Sequence, residues 1–189
     1  MKVLPFGSWP SPITAALLVE QAVSLSQIHT EGDRIWWAEG RPGEGGRQVV
    51  VTWAPGEEPC DVLPPPWSAR TTVHEYGGGA YTVHGGRVLF SNFNDQRMYR
   101  VDAAGEEPRP LTPEPRAPMA VRYADTDVHP GGDWMACVRE RHLDGEVVND
   151  VVALDAGVEG EPGPLAWGHD FFSAPRFSSD GRSSSPRLS

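Results

Sequence analysis

A turn followed by an apolar strand recurs at nearly regular spacing along this chain, and this repeat constrains the fold more than any other feature. The unit reads EGDRIWWA at residues 31–38, HGGRVLFS at 84–91 and PGGDWMAC at 130–137, and it begins again as SSDGR at 178–182. Glycine permits the positive φ that a tight hairpin requires, and the residues after it supply a strand. The turn glycines Gly32, Gly86, Gly132 and Gly181 lie roughly 50 residues apart, which is the length of a four-stranded propeller blade.

A second repeated unit lies at the end of each of these roughly 50-residue repeats. Apolar strands at 48–51, 97–101 and 150–154 are each followed by a loose turn and a leucine, namely Leu63, Leu111 and Leu165. Because the two units recur in the same order, they favour a propeller over a β-sandwich with accidental similarity. The predicted fold is all-β: a partial β-propeller of about three four-stranded blades plus an incomplete fourth, with a short N-terminal helix.

The sequence also predicts where the propeller begins and ends. Residues 1–23 form a lead-in with the short helix, since Ser11 is a favourable N-cap and Pro12 suits the first helical position. Residues 24–182 form the incomplete propeller. Residues 183–189 (SSSPRLS) offer serines and a proline where an apolar strand is due, so we expect an aberrant, disordered tail. An open ring of blades indicates a truncated fragment.

Charge and cysteine content limit the partners and the compartment. The formal net charge of −10 argues against a nucleic-acid partner and against an anionic membrane surface. Cys60 and Cys137 lie far apart in no metal or redox spacing, which favours a reducing compartment. The N-terminus lacks the apolar run of a signal peptide, and no stretch approaches the roughly 20 apolar residues of a membrane span. A cytoplasmic location is therefore expected.

Several segments carry a resemblance to a known family. Residues 72–81 (TVHEYGGGAY) resemble the His-Glu-Tyr-Gly-Gly segment of bacterial S9-family serine peptidases, the prolyl oligopeptidase-like dipeptidyl and acylaminoacyl peptidases. Residues 7–14, 37–42, 90–97 and 168–172 resemble the same proteins. The resemblance implies an N-terminal propeller, a C-terminal α/β-hydrolase domain and a Ser-Asp-His triad between them. It also implies that the propeller admits short peptides and excludes folded proteins.

The catalytic part of that pattern is absent from this sequence. No Gly-x-Ser-x-Gly elbow occurs, so no catalytic residue can be assigned, and the hydrolase domain is missing. Whether the chain counts as an enzyme stays open. The expected function is that of a substrate-gating propeller fragment, inactive alone, whose parent acts on short peptides. The alternatives are a non-catalytic propeller scaffold for protein interactions and a non-functional truncated product.

His74, Glu75 and Tyr76 are the candidate substrate-binding residues. A carboxylate at the entry to a channel-lining strand could meet the amino terminus of a peptide. The alternative is that His74 and Glu75 fix the connection between blades by hydrogen bonds to the backbone.

Neither a cofactor nor a metal is predicted. The glycines at 77–79 lack the lysine and helix of a phosphate loop, and close strand packing explains them better. The six histidines show no ligand spacing. Tryptophans in or beside predicted strands are expected to pack between blades. They are Trp36, Trp37, Trp53, Trp134 and Trp167.

Overall fold

The computed structural model describes Pro5, Gly7 and residues 22–143 and 145–188. The helix predicted from Ile13 to about Ala22 falls almost entirely outside these residues. Within the described part of the chain, no helix is long and apolar enough to cross a membrane.

Three four-stranded antiparallel sheets follow one another along the chain, each with its strands paired in sequence order. Blade 1 contains β1 (Ser24–Glu31), β2 (Arg34–Arg41), β3 (Arg47–Trp53) and β4 (Cys60–Asp61). Blade 2 contains β5 (Tyr81–His84), β6 (Arg87–Ser91), β7 (Met98–Val101) and β8 (Arg109–Pro110). Blade 3 contains β9 (Val121–Val128), β10 (Trp134–Leu143), β11 (Glu146–Asp155) and β12 (Gly163–Trp167). The predicted all-β partial propeller is confirmed.

The repeated glycines occupy the first hairpin of each blade. Gly32, Gly86 and Gly132 have φ values of 56°, 76° and 80°, a region that side chains with a Cβ rarely adopt. These turns join the innermost strand of each blade to its second strand. The repeat therefore reflects a backbone requirement that returns once per blade.

Blades 1 to 3 pack face to face through their central strands. Side chains along a strand alternate between the two faces of the sheet. Val88 and Phe90 of β6 therefore pack toward blade 1 with Trp36, whereas Leu89 packs toward blade 3 with Met135. Burial on both faces explains why residues 88–90 form an uninterrupted apolar run.

Blade 4 is represented by β13 (Phe172–Phe177) and β14 (Ser184–Leu188). Phe172 is fully buried in a cluster with Val138 of blade 3. The expectation of a disordered tail over residues 183–189 is corrected here, because Ser184–Leu188 pairs antiparallel with β13. Backbone hydrogen bonds alone can hold such a pair, and proline is tolerated in a strand with one unpaired edge.

The innermost strands β1, β5, β9 and β13 lie side by side and line a central channel of 410 Å³. Gln27, Asp125 and Ala174 each adopt a positive φ, and the strand register shifts at each of these places. The side chains at two of these bulges link neighbouring blades. Gln27 accepts a hydrogen bond from the Ala80 N–H at 2.8 Å. Asp125 accepts from the N–H groups of Gly79 and Ala174 at 2.6 and 3.0 Å.

The tryptophans range from buried to exposed, and Trp37 and Trp53 are half-buried. Trp36 is 3% exposed, in agreement with the expected packing between blades. Trp134 and Trp167 are 53% and 70% exposed, so the same expectation is wrong for them. Trp134 is the first residue of β10 and Trp167 is the last residue of β12.

Candidate functional site

The three candidate residues lie in the connection between blades 1 and 2. Val73–Glu75 forms a single 3-10 turn ahead of β5, and Tyr76 follows it. The buried Gln96 side chain fixes the start of this turn, because its Oε1 accepts a hydrogen bond from the Thr72 N–H at 2.8 Å. We refer to residues 72–77 as the connector turn.

The backbone of the connector turn is unusual. His74 and Glu75 have φ values of 55° and 67°, although both carry a Cβ, and Gly77 has a φ of 86°. A Cβ at position 77 would lie 2.8 Å from the Thr71 carbonyl oxygen, so glycine is required there for space as well as conformation. Non-glycine residues persist in this conformation only where surrounding contacts hold them.

The next two glycines allow blade 2 to approach blade 3 closely. A Cβ at Gly78 or Gly79 would lie 3.0 Å from Oδ1 of Asp125. This agrees with the prediction that the glycine run permits close packing near the channel. The same approach lets the Gly79 N–H reach the Asp125 carboxylate.

Blade 3 supplies a charged network beneath the connector turn. Nη1 of Arg122 donates to Oε1 of Glu75 at 2.7 Å, to Oε1 of Glu140 at 3.1 Å and to the Thr72 carbonyl at 2.8 Å. Oε2 of Glu140 accepts from the His74 N–H at 2.7 Å, and its Oε1 lies 2.8 Å from Nε2 of His142. The hydrogen bond from Arg122 lowers the pKa of Glu75 below its usual value, and the charge of the same guanidinium adds to this effect.

A cleft of 520 Å³ opens beside this network. His74, Glu75 and Tyr76 form one side of it, and the other residues come from blade 3 and the segment before β13. The Tyr76 side chain is 86% exposed. The His74 ring stands edge-on to Phe171 with centroids 5.0 Å apart, and its Nε2 is buried without a hydrogen-bond partner among the described residues.

The structure therefore brings the three predicted residues to one cleft but gives them different surroundings. Glu75 bonds to Arg122 of the neighbouring blade 3, and Glu140 of the same blade accepts from the His74 N–H, so side chains of blade 3 help to fix the connection. Nothing in the sequence marks Arg122 or Glu140, which lie in ordinary strand positions 47 and 66 residues away from their partners.

Glu75, Glu140 and His142 are close enough to share a metal ion, with ligand atoms within 4.8 Å of one another. The Arg122 guanidinium already lies between the two carboxylates and bonds to both of them. A divalent cation would have to displace it, so these residues do not fit a metal site.

The channel forms a second polar region. Its lining includes Gln27, His29, Asp125, Asp127 and Arg176 from the innermost strands. Burial is the largest effect on His29 and lowers its pKa, and the nearby Arg176 acts in the same direction.

Solved structures share this fold over nearly the whole chain. A puromycin-hydrolysing peptidase from Mycobacterium tuberculosis is 38% identical with a TM-score of 0.83, covering 96% of this chain and 30% of its own. A puromycin hydrolase is 30% identical with a TM-score of 0.84, covering 100% of this chain and 31% of its own. A serine-to-alanine variant of puromycin hydrolase complexed with PGG is 31% identical with a TM-score of 0.84. No family model and no curated protein matches the sequence.

The fold and these neighbours define a partial β-propeller of the type found in peptidases. The resemblance to the propeller region of S9-family, prolyl oligopeptidase-like serine peptidases is thereby confirmed. The chain spans 30% to 31% of the length of the first two neighbours.

Proposed function

We propose that this chain is the substrate-gating propeller part of a prolyl oligopeptidase-like serine peptidase, and that the connector turn contacts the amino end of short peptides. The observation that carries this proposal is the Glu75 carboxylate. It belongs to a side chain that is 73% exposed, yet Arg122 holds one of its oxygens at 2.7 Å. A fixed and accessible carboxylate beside a cleft is suited to an ammonium group.

The neighbours support the same substrate class. They are named for the hydrolysis of puromycin, and one was solved with PGG. We therefore propose small peptides and peptide-like amines with a free amino group as the ligands. Acyl transfer would be carried out by a nucleophilic serine in an α/β-hydrolase domain, and the present chain alone should be inactive.

We also propose a cytoplasmic location for the protein. Cys60 is exposed and Cys137 is buried, and both thiols are free. An exposed free thiol is typical of a reducing compartment.

Peptide binding by the purified chain tests this function. Isothermal titration should show prolyl-glycyl-glycine binding about tenfold more tightly than its N-acetylated form, because acetylation removes the charge that Glu75 would meet. The variant E75Q should abolish this preference. The variant E57Q is the matched control, since Glu57 is also an exposed glutamate bonded to an arginine, with Arg34 at 2.6 Å.

Two results would contradict the proposal. Equal affinity for the free and acetylated peptides would exclude recognition of the amino end. Release of p-nitroaniline from peptide p-nitroanilides by the pure chain would show that an α/β-hydrolase domain is not needed for catalysis.

A further inference from the structure

We infer that Glu140 of blade 3 is a positioning residue that holds the connector turn in its left-handed conformation and thereby orients Glu75. This inference rests on the proposed function of Glu75, but the geometry of the turn can be tested separately. Glu140 is 2% exposed and lies 66 residues from the turn in sequence.

The connector turn needs an external restraint. His74 and Glu75 are consecutive non-glycine residues with positive φ. The bonds within the turn run from the Glu75 N–H to the Thr72 carbonyl and from the Gly77 N–H to the Val73 carbonyl. Neither of these bonds uses the His74 N–H, which would be left without its acceptor if blade 3 were removed.

Glu140 supplies that acceptor, and both of its carboxylate oxygens have hydrogen-bond partners. Its Oε2 receives the His74 N–H at 2.7 Å, and its Oε1 lies near Arg122 and His142 at 3.1 and 2.8 Å. A buried carboxylate costs free energy unless it is paired and hydrogen-bonded, and an apolar side chain would serve a β-blade as well or better. The charge at position 140 is therefore explained by its contacts to the turn and to Arg122.

Arg122 extends the restraint from the backbone to the candidate carboxylate. The same nitrogen that bonds to Glu140 also bonds to Glu75 and to the Thr72 carbonyl. Its side chain is only 12% exposed, so its position is set by packing as well as by these bonds. Blade 3 thus fixes both the backbone of the turn and the direction of the Glu75 side chain.

The test compares E140Q with D150N in the full chain. A glutamine at 140 has only one oxygen, and its NH₂ group would face either the His74 N–H or Arg122. One of these two donors therefore loses its acceptor. Asp150 is the matched control: it is also 2% exposed, lies in the same blade and bonds to Arg139 at 2.6 Å, but among the described residues its side chain bonds only to Arg139 and Arg141 and not to the connector turn. Hydrogen exchange of the His74 amide, measured by NMR, should accelerate about 10- to 100-fold in E140Q and stay unchanged in D150N.

Peptide binding supplies the second readout. E140Q should lose the preference for the free over the acetylated peptide while its affinity for the acetylated peptide stays the same. D150N should keep the preference. Because E140Q leaves Arg122 short of an acceptor, the double variant R122Q/E140Q removes both charges and should give the same two results if E140Q does not fold.

The outcomes separate the two proposals. If the wild-type chain binds both peptides equally, recognition of the amino end is wrong, and the exchange rates alone then decide whether Glu140 positions the turn. If the wild-type chain discriminates but neither E140Q nor the double variant changes the exchange of His74 or the discrimination, the positioning role is overturned. Equal acceleration in D150N would also overturn it, because the effect would then be a general loss of stability.

Discussion

Replacing Asp125 should destabilise the chain more than its partly exposed position would indicate, because this side chain ties three successive blades together. Its two oxygens accept hydrogen bonds from Gly79 at the start of blade 2's inner strand and from Ala174 in blade 4, at 2.6 and 3.0 Å. D125A would leave both N–H groups without a protein acceptor. At about 1–3 kcal/mol for each of these two partly buried donors, the expected loss of unfolding free energy is about 2–6 kcal/mol.

The variant D125N separates hydrogen bonding from backbone strain. Asparagine tolerates positive φ as well as aspartate does, and Asp125 has a φ of 57°. Its amide oxygen can replace only one of the two acceptors, so about half of the D125A effect is expected. Q27A, which removes one analogous bond to the Ala80 N–H, should fall in the same range.

Urea unfolding followed by tryptophan fluorescence measures these effects. With a slope of about 2 kcal/mol per molar urea, a loss of about 3 kcal/mol lowers the midpoint by about 1.5 M. The ranking of midpoints should be wild type, then D125N with Q27A, then D125A. An unchanged midpoint in D125A, or a D125N midpoint as low as that of D125A, would refute the view that these bonds hold the blades together.

Three further predictions concern other parts of the chain. G77A should lower the unfolding free energy by about 1–3 kcal/mol in the same urea assay, since its φ is 86° and its Cβ would lie 2.8 Å from a backbone oxygen; a neutral effect would mean that the turn adopts another conformation. Burial raises the pKa of the Cys137 thiol, so Ellman's reagent should modify the exposed Cys60 in the native chain and Cys137 only after unfolding; rapid reaction of both thiols would contradict this. Hydrogen bonds from Arg41 lower the pKa of Asp61, so this carboxylate adds stability above its unfolded-state pKa of about 4 and loses that contribution as pH falls through the folded-state pKa. The difference in melting temperature between wild type and D61N should be largest near neutral pH and vanish in acid, and a difference independent of pH would contradict the assignment.

The sequence by itself determined the architecture. Each blade needs a residue with positive φ in its first hairpin, such as Gly32 and Gly86, so glycine recurs in the sequence once per blade. The central strands give a second repeated signal, an uninterrupted apolar run, because both of their faces are buried between blades. The order of these two signals was sufficient to predict four-stranded blades, and residues 72–81 indicated the family together with four other segments.

The sequence misled where burial or pairing depends on neighbours. Residues 184–188 look unsuited to a strand, yet β13 offers a free edge, and backbone hydrogen bonding makes no demand on side chains. Trp134 and Trp167 look like core residues, yet whether another blade covers a strand end cannot be read from the strand itself.

Only the tertiary structure decided the surroundings of the candidate site. His74, Glu75 and Tyr76 could be singled out from the motif that contains them, but Arg122 and Glu140 follow no local pattern. They meet the connector turn because blade 3 packs against blade 2, and contacts between residues so far apart in the sequence are set by that packing. The positive φ values at His74 and Glu75 also depend on the tertiary structure, since non-glycine residues reach that conformation only when surrounding groups hold them there.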